Sequence, residues 1–253
     1  MTADGWTNAV RQQLGLGRVL PLGGPHDGAW ITESAAEAVL RRAAAAMRGV
    51  RIGTLRIGLA SPAGARAPAV PAPPSALPPG PLRVTADFRA SAVAPVEPFP
   101  ATAARLRAGL AEAAADRLGL AVAEIDLRMT DLLGPDEPDG RPPRDAPGTA
   151  GPSMDHAPAR PDAGEGEESQ VTAAALGVAG VSRLTGALGG PGRAVHIGTG
   201  IGVGPALPRR HVRVELAVAE GRRAVDVARD VRAAVGAALP DHPSVAVLVT
   251  AVE

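Results

Sequence analysis

The chain has 253 residues with 26 acidic and 26 basic side chains, so net charge gives no argument for binding nucleic acid or an acidic substrate. Cysteine is absent, which excludes disulfides, thiolate metal sites and thiol nucleophiles. Lysine and tyrosine are absent as well. No apolar run approaches the roughly 20 residues of a membrane-spanning helix, and the N-terminus lacks a signal-peptide pattern, so we expect a cytoplasmic protein.

The first predicted helix and strand are followed by a proline-rich loop. Ser34 and Glu37 have the spacing of a capping box, and the helix that they begin is expected to stop at Gly49. Its predicted apolar face comprises Ala36, Val39, Leu40, Ala43 and Met47. Residues 55–59 alternate as a strand does. Residues 61–81 hold eight prolines and predict a long, stiff loop between two strands.

A second strand, a second helix and a third strand complete this unit. The second strand is expected over about residues 82–88. The helix follows Pro98 and Pro100 and stops at Gly119, because glycine readily adopts the left-handed conformation of a helix end. Its predicted buried face comprises Leu106, Leu110, Ala113, Ala114 and Leu118. The closing strand is expected over about residues 121–130.

Residues 134–168 have the composition of a linker. They carry nine acidic residues against three arginines, with eight prolines and almost no large apolar side chains. Such a segment buries too little surface to offset the entropy lost on ordering, so we expect it to be disordered.

The same order of elements is predicted after the linker. Strands are expected at residues 194–197, 211–219 and 245–249. The first helix of this unit includes Val171, Ala174, Ala175 and Val178. The second helix has the clearest periodicity in the chain, with Arg229 on its solvent side. Its predicted buried face comprises Ala224, Val227, Ala228, Val231, Ala234, Val235 and Ala238.

The two units are copies of one supersecondary pattern. Residues 47–50 (MRGV) recur as 178–181 (VAGV), and residues 82–88 recur as 212–218. The predicted fold is α/β of the α+β type, with two tandem two-layer modules. Each module has the order helix-strand-strand-helix-strand and a small mixed three-stranded sheet. The predicted divisions are a leader (1–29), a first module (30–133) with its insertion (61–81), a linker (134–168) and a second module (169–253).

A glycine-rich loop in the second module is the strongest candidate for a ligand site. Its glycines are Gly198, Gly200 and Gly202, but valine stands where a phosphate-binding fingerprint needs its last glycine, and a strand follows instead of a helix. This favours a flexible hairpin loop, with an anion-binding loop as the alternative. His196 and His211 flank the loop and can meet across the hairpin.

No catalytic or metal-binding motif is present elsewhere. The sequence contains no G-x-S-x-G elbow, no H-E-x-x-H pair and no clustered histidines, so we expect no enzyme activity, no cofactor and no metal. Trp6 and Trp30 are candidate anchors for a protein partner, with burial as the alternative for each.

Both modules contain apolar sequence motifs typical of one domain family. In the second module these are residues 178–184 (VAGVSRL), the helix around Val231 and residues 245–250 (VAVLVT). In the first module they are Ile31-Thr32 and residues 47–50 and 118–125 (LGLAVAEI). Through these motifs both modules resemble the alkaline-shock, or envelope-stress-response, protein family of Gram-positive bacteria. The tandem arrangement and the proline insertion depart from the family's usual single domain.

The resemblance implies a bacterial, non-enzymatic cytoplasmic protein that acts by protein–protein interaction. The implied partner is a second copy of the chain or an envelope-associated protein, which would hold it at the inner face of the cell membrane. No direct membrane span and no nucleic acid are expected. An anion-sensing module that uses the glycine loop, and a nucleotide-using enzyme, are the alternatives.

Overall fold

The computed structural model describes residues 15–92, 97–134, 163–188, 193–199 and 210–253. Within these ranges the strands are β1 (Val19–Pro21), β2 (Ala29–Thr32), β3 (Val50–Leu59), β4 (Leu82–Ser91), β5 (Val122–Leu133), β6 (Val181–Leu184), β7 (Val195–Thr199), β8 (Arg210–Val218) and β9 (Ser244–Val252). The α-helices are α1 (Glu33–Ala45), α2 (Phe99–Glu112), α3 (Ala163–Leu176) and α4 (Ala224–Ala238). The predicted α+β class is therefore confirmed.

The smaller of two sheets has the strand order β3-β4-β5. β3 and β4 are antiparallel, and β4 and β5 are parallel and joined through α2, as the sequence predicts. The prolines of residues 61–81 form the connection from β3 to β4, with one short 3-10 turn at Pro62–Gly64. The closing strand β5 runs three residues beyond the predicted end at residue 130.

The helices bury the faces that the apolar periodicity predicts. The buried residues of α1 include Ala36, Val39 and Leu40, and those of α4 include Val227, Val231 and Val235. The helix α2 continues into a π-helical turn, Ala113–Leu118, which keeps the predicted face buried. Gly119 ends this turn with φ +84°, and a side chain there would overlap that of Val225. Glycine is therefore required at this helix end by conformation and by packing.

The start of α1 corrects one local prediction. The N-cap is Thr32, whose Oγ1 accepts a hydrogen bond from the Ala35 N–H at 3.3 Å. Ser34 lies inside the helix, so it cannot form the predicted capping box with Glu37. Glu37 instead pairs with Arg41 one turn later, at 2.6 Å.

The larger sheet has the order β1-β2-β9-β8-β6, with β7 also paired to β8. The pairs β8–β9 and β2–β9 are parallel, whereas β6 and β7 are each antiparallel to β8. The first module has the single strand β3 at the position where the second module has β6 and β7. β1 and β2 extend the sheet, and β1 lies within the segment that the sequence predicts to be a leader.

A pair of equivalent hydrogen bonds supports the internal duplication. Gly49 and Gly180 both have positive φ, at +70° and +104°. The Ser91 N–H donates to the Gly49 carbonyl at 2.9 Å, and the Ala219 N–H donates to the Gly180 carbonyl at 2.8 Å. In each module the turn after the first helix is thus fixed to the end of the middle strand.

The predicted linker ends earlier than expected. The helix α3 begins at Ala163, inside the predicted linker 134–168, and Glu167 pairs with Arg210 at 2.8 Å. The segment 135–162 lies outside the described residues, as does Trp6 of the leader.

The two modules share one buried core. The strand β2 precedes α1 in the chain but pairs with β9 of the second module, with Trp30 opposite Leu248. Arg42 of α1 donates to the Val252 carbonyl at 2.9 Å. A single cluster of buried apolar side chains includes residues of both modules. The division into two independently folding units stays a prediction.

Candidate functional site

One face of the larger sheet packs against the helices, and the opposite face carries an unusual set of polar groups. On that opposite face Trp30, Leu248 and Glu215 lie side by side across β2, β9 and β8. His196 of β7 lies opposite Arg213 of β8. Because side chains alternate along a strand, Arg213 and Glu215 project from the same face. We refer to His196, Arg213 and Glu215 as the polar cluster.

Glu215 anchors the chain between β6 and β7. Its side chain is fully buried, and Oε2 accepts hydrogen bonds from the N–H groups of Ala187 and Leu188, at 2.6 and 2.9 Å. Its backbone contributes as well, because the Thr185 N–H donates to the Glu215 carbonyl at 2.8 Å. The carboxylate therefore holds the turn that follows β6. The first module has no equivalent of this turn, because it has the single strand β3 in place of β6 and β7.

The second oxygen of this carboxylate has no hydrogen-bond partner among the described residues. Glu215 Oε1 lies 3.4 Å from Arg213 Nε and 3.8 Å from His196 Nε2, and neither nitrogen makes a hydrogen bond there. The indole N–H of Trp30 is also buried without a partner in the described part of the chain. The cluster is thus an ion pair with a neighbouring imidazole, held close but not in hydrogen-bond contact.

Both histidines of this region are held toward the neutral form. Burial lowers the pKa of His196, and the positive charge of Arg213 lowers it further, against the opposing effect of Glu215. Burial also lowers the pKa of His211, whose Nδ1 lies 2.9 Å from Ser244 Oγ.

His211 and Ser244 connect β8 to β9. Ser244 Oγ lies 2.9 Å from His211 Nδ1 and 3.3 Å from the Arg210 carbonyl. When the hydroxyl donates its single proton to that carbonyl, it accepts from His211, and the donor between the two side chains depends on the histidine tautomer.

The structure describes part of the predicted glycine-loop site. Gly198 lies on β7 opposite His211, and a side chain added to it would meet nothing within 4 Å. Neither backbone crowding nor positive φ thus requires glycine there. His196 lies opposite Arg213, so His196 and His211 are diagonal neighbours on one face of β7 and β8. Gly200 and Gly202 lie outside the described residues, and the glycine-loop site stays a prediction.

Trp30 is part of the protein interior. Its side chain is 1% exposed and packs in a second buried cluster with Val19, Val70 and Leu248. Val70 belongs to the proline-rich loop, so this loop covers the helix-free face beside Trp30. The indole cannot act as an exposed anchor in this conformation, and burial, the alternative drawn from the sequence, is what the structure shows.

A different surface is open in the smaller sheet. Among the described strands, β5 pairs only with β4, and its other edge has no strand partner. Two of its apolar side chains are exposed, Met129 by 40% and Leu132 by 45%. The Ile125 carbonyl accepts a hydrogen bond from Arg107 Nε at 3.1 Å, so it points away from β4. We refer to this side of the strand as the free edge of β5.

The two faces of β5 differ in character. Ile125 and Leu127 lie opposite apolar residues of β4 and pack against the buried core, whereas Met129, next on the same side, is exposed. Glu124 and Asp126 lie on the other side, where both form ion pairs with Arg83. Half of the strand is thus solvated, which the alternation of its sequence indicates.

Two clefts in the described part of the chain are open to solvent. One of about 380 Å³ is lined by Arg42, Arg117 and Arg222 together with Asp116 and Glu220, so its charges nearly balance. The other, of about 670 Å³, lies between the proline-rich loop and α4. Among the described residues no group of three metal-ligating side chains is present.

Sequence reasoning missed Arg213 and Glu215. A usable signal is present, because both charges interrupt a strand whose neighbouring residues, Val212, Val214 and Leu216, are apolar. Charged residues within such a strand indicate a paired buried site.

No family model, curated protein or solved structure matches this chain.

Proposed function

We propose that the protein is a non-enzymatic, envelope-stress-response-like interaction protein that binds extended protein segments along the free edge of β5. The observation that carries the proposal is the exposed 12-residue edge strand with its apolar side chains Met129 and Leu132. The family resemblance of the duplicated framework supports the envelope assignment, with an action on the inner face of the cell membrane through an envelope-associated partner.

The chemistry of an edge strand suits this role. An added strand gains affinity from main-chain hydrogen bonds and specificity from alternate side chains. Because backbone groups alternate in direction along a strand, Leu127 and Met129 present theirs on the same side as Ile125, toward the free edge. Three residues of β5 are therefore in position to exchange hydrogen bonds with an incoming strand.

The anion-sensing alternative has one supporting observation, which is the position of Arg213 beside His196. Glu215 Oε1 lies 3.4 Å from Arg213 Nε, so a buried negative charge already compensates that arginine. A bound anion would face this carboxylate at short range, which is unfavourable. The electrostatics of the cluster thus favour the docking proposal over anion sensing.

The test uses a proline at the free edge. Met129→Pro removes an N–H that faces solvent and not β4, so the edge strand should tolerate it while an incoming strand loses a donor. The control, Met129→Val, keeps the N–H and an apolar side chain. We expect Met129→Pro to lose rescue of an envelope-stress defect in a deletion strain, and Met129→Val to retain it.

Two outcomes would count against the proposal. Full rescue by a folded Met129→Pro protein, and by a Met129→Lys protein whose charge also blocks strand addition, would show that the free edge is not used. A large thermal stabilisation by phosphates or nucleotides would favour ligand sensing instead, because a ligand at 100 times its Kd adds about 2.7 kcal/mol.

A further inference from the structure

We infer that the occupant of the free edge of β5 is a second copy of this chain, paired antiparallel about a twofold axis at Leu127. The inference rests on the proposed docking edge and names its partner. The two copies would join their β3-β4-β5 sheets into one continuous sheet, with β5 beside β5 at its centre.

The directions of the backbone groups allow this pairing. A twofold axis at Leu127 places Leu127 opposite its own copy and Ile125 opposite Met129 of the second copy. All three residues direct their backbone groups to the free edge, as the contact from Arg107 to the Ile125 carbonyl shows. They would form hydrogen-bonded pairs that exchange about six main-chain bonds in all. The Arg107 guanidinium is displaced from the Ile125 carbonyl when the second copy binds.

The charges on the solvated face select this register. With the axis at Leu127, Asp126 of each copy lies opposite Arg128 of the other, which gives two cross-strand ion pairs. With the axis at Asp126 or at Arg128, that residue would lie opposite its own copy and repel it. A shift of one residue between the strands would place charged side chains against apolar ones. The sequence of β5 is therefore self-complementary at the register centred on Leu127.

The opposite edge of the same sheet is protected against such pairing. Arg41 donates to the carbonyls of Ile52 and Gly53 on β3, at 3.3 and 2.6 Å. The Ile57 N–H donates to the buried carboxylate of Glu33 at 3.0 Å. β3 also has an irregular register between Ile52 and Leu55. Bulges and side chains that occupy the backbone are the devices by which proteins block edge pairing. On β5, Arg107 contacts the Ile125 carbonyl, Asp131 accepts from the Leu132 N–H, and register shifts lie on either side of residues 124–129. The register between those shifts is regular, which leaves residues 125–129 for pairing with a second strand.

Charge reversal tests the register by sedimentation equilibrium of the full chain. Asp126→Arg and Arg128→Asp each place like charges opposite one another, so each variant should dimerise about tenfold more weakly than the native chain. A mixture of the two variants, and the double variant Asp126→Arg/Arg128→Asp, should regain association. Thermal unfolding of each variant checks that the fold is kept.

Cross-linking gives a second test, because the native chain has no cysteine. Leu127→Cys places two thiols at the twofold axis, within the range of a disulfide, and should cross-link on mild oxidation. Met129→Cys is the matched control. Its two thiols would be four residues out of register, about 13 Å apart along the strands, and should not cross-link.

The inference is overturned if the native chain stays monomeric at its highest soluble concentration. It is also overturned if the single reversals dimerise as the native chain does, or if both cysteine variants cross-link equally. If the chain is monomeric and Met129→Pro still abolishes rescue, the docking edge stands and its partner is another protein. If Met129→Pro rescues fully, the docking proposal fails whatever the oligomeric state.

Discussion

Neutralising Glu215 should destabilise the second module more than any other change of one carboxylate to an amide. Glu215→Gln keeps the volume of the side chain, so it creates no cavity. It weakens two main-chain hydrogen bonds to Oε2, and a bond to a charged group is worth about 1 kcal/mol more than a bond to a neutral one. It also leaves the guanidinium of Arg213, whose side chain is 17% exposed, without its carboxylate partner. This unpaired charge should destabilise the folded state by roughly 1 kcal/mol more.

The expected loss is therefore about 3 kcal/mol, or roughly 6–12 °C in Tm for a chain of this length. Urea unfolding monitored by circular dichroism measures it. The control is Glu253→Gln, because Glu253 pairs with Arg183 at 2.8 Å but is 46% exposed, and its loss should be much smaller than that of Glu215→Gln. Arg213→Met in the Glu215→Gln background should recover about 1 kcal/mol, since it removes the unpaired charge. Equal losses for the two glutamine variants would refute the assignment of Glu215 as a buried anchor.

Three further predictions concern pH, an ion pair between α4 and the leader, and assembly. The folded state lowers the pKa of His196 and His211, so it binds fewer protons than the unfolded state, and stability should fall as the pH drops below the ordinary value of 6.5. Replacing both with glutamine should flatten the dependence of unfolding free energy on pH between about 6.5 and 5. Arg229→Ala should lower the free energy of unfolding by about 1 kcal/mol, because Arg229 makes two hydrogen bonds to Asp27 at 2.9 and 3.0 Å. The same pair lowers the pKa of Asp27, so the stabilisation from the pair should decrease as the pH falls through the acid range. The two modules, co-expressed as separate chains without residues 135–162, should co-purify because they share one core, and recovery of two unassociated folded chains would contradict this expectation.

The elements of each module could be predicted from local patterns. Apolar spacing identifies the buried faces of α1, α2 and α4, and glycine marks the end of the turn at Gly119. The repeated order of elements gives the parallel crossover, because a strand that returns through a helix has one favoured hand. The alternation of charged and apolar residues in β5 indicates a half-exposed strand. These features depend on residues that lie close together in the chain, so a short window of sequence contains them.

Contacts between distant segments could not be predicted in this way. Thr32, and not Ser34, caps α1, because the pairing of β2 with β9 decides where the preceding strand ends. Arg229 has a solvent-facing position on α4, yet it bonds to Asp27, 202 residues earlier in the chain. Glu215 lies in a strand that the sequence identifies. Its burial, however, depends on the turn between β6 and β7, whose N–H groups donate to its carboxylate.

The sequence by itself therefore determined the repeated supersecondary unit and the buried face of each helix. The tertiary structure decided that the two units share a core, that Trp30 is buried, and that the polar cluster forms on the helix-free face. The physical reason is that periodicity specifies which side of an element avoids water, whereas pairing between elements depends on packing and hydrogen bonds summed over the whole chain.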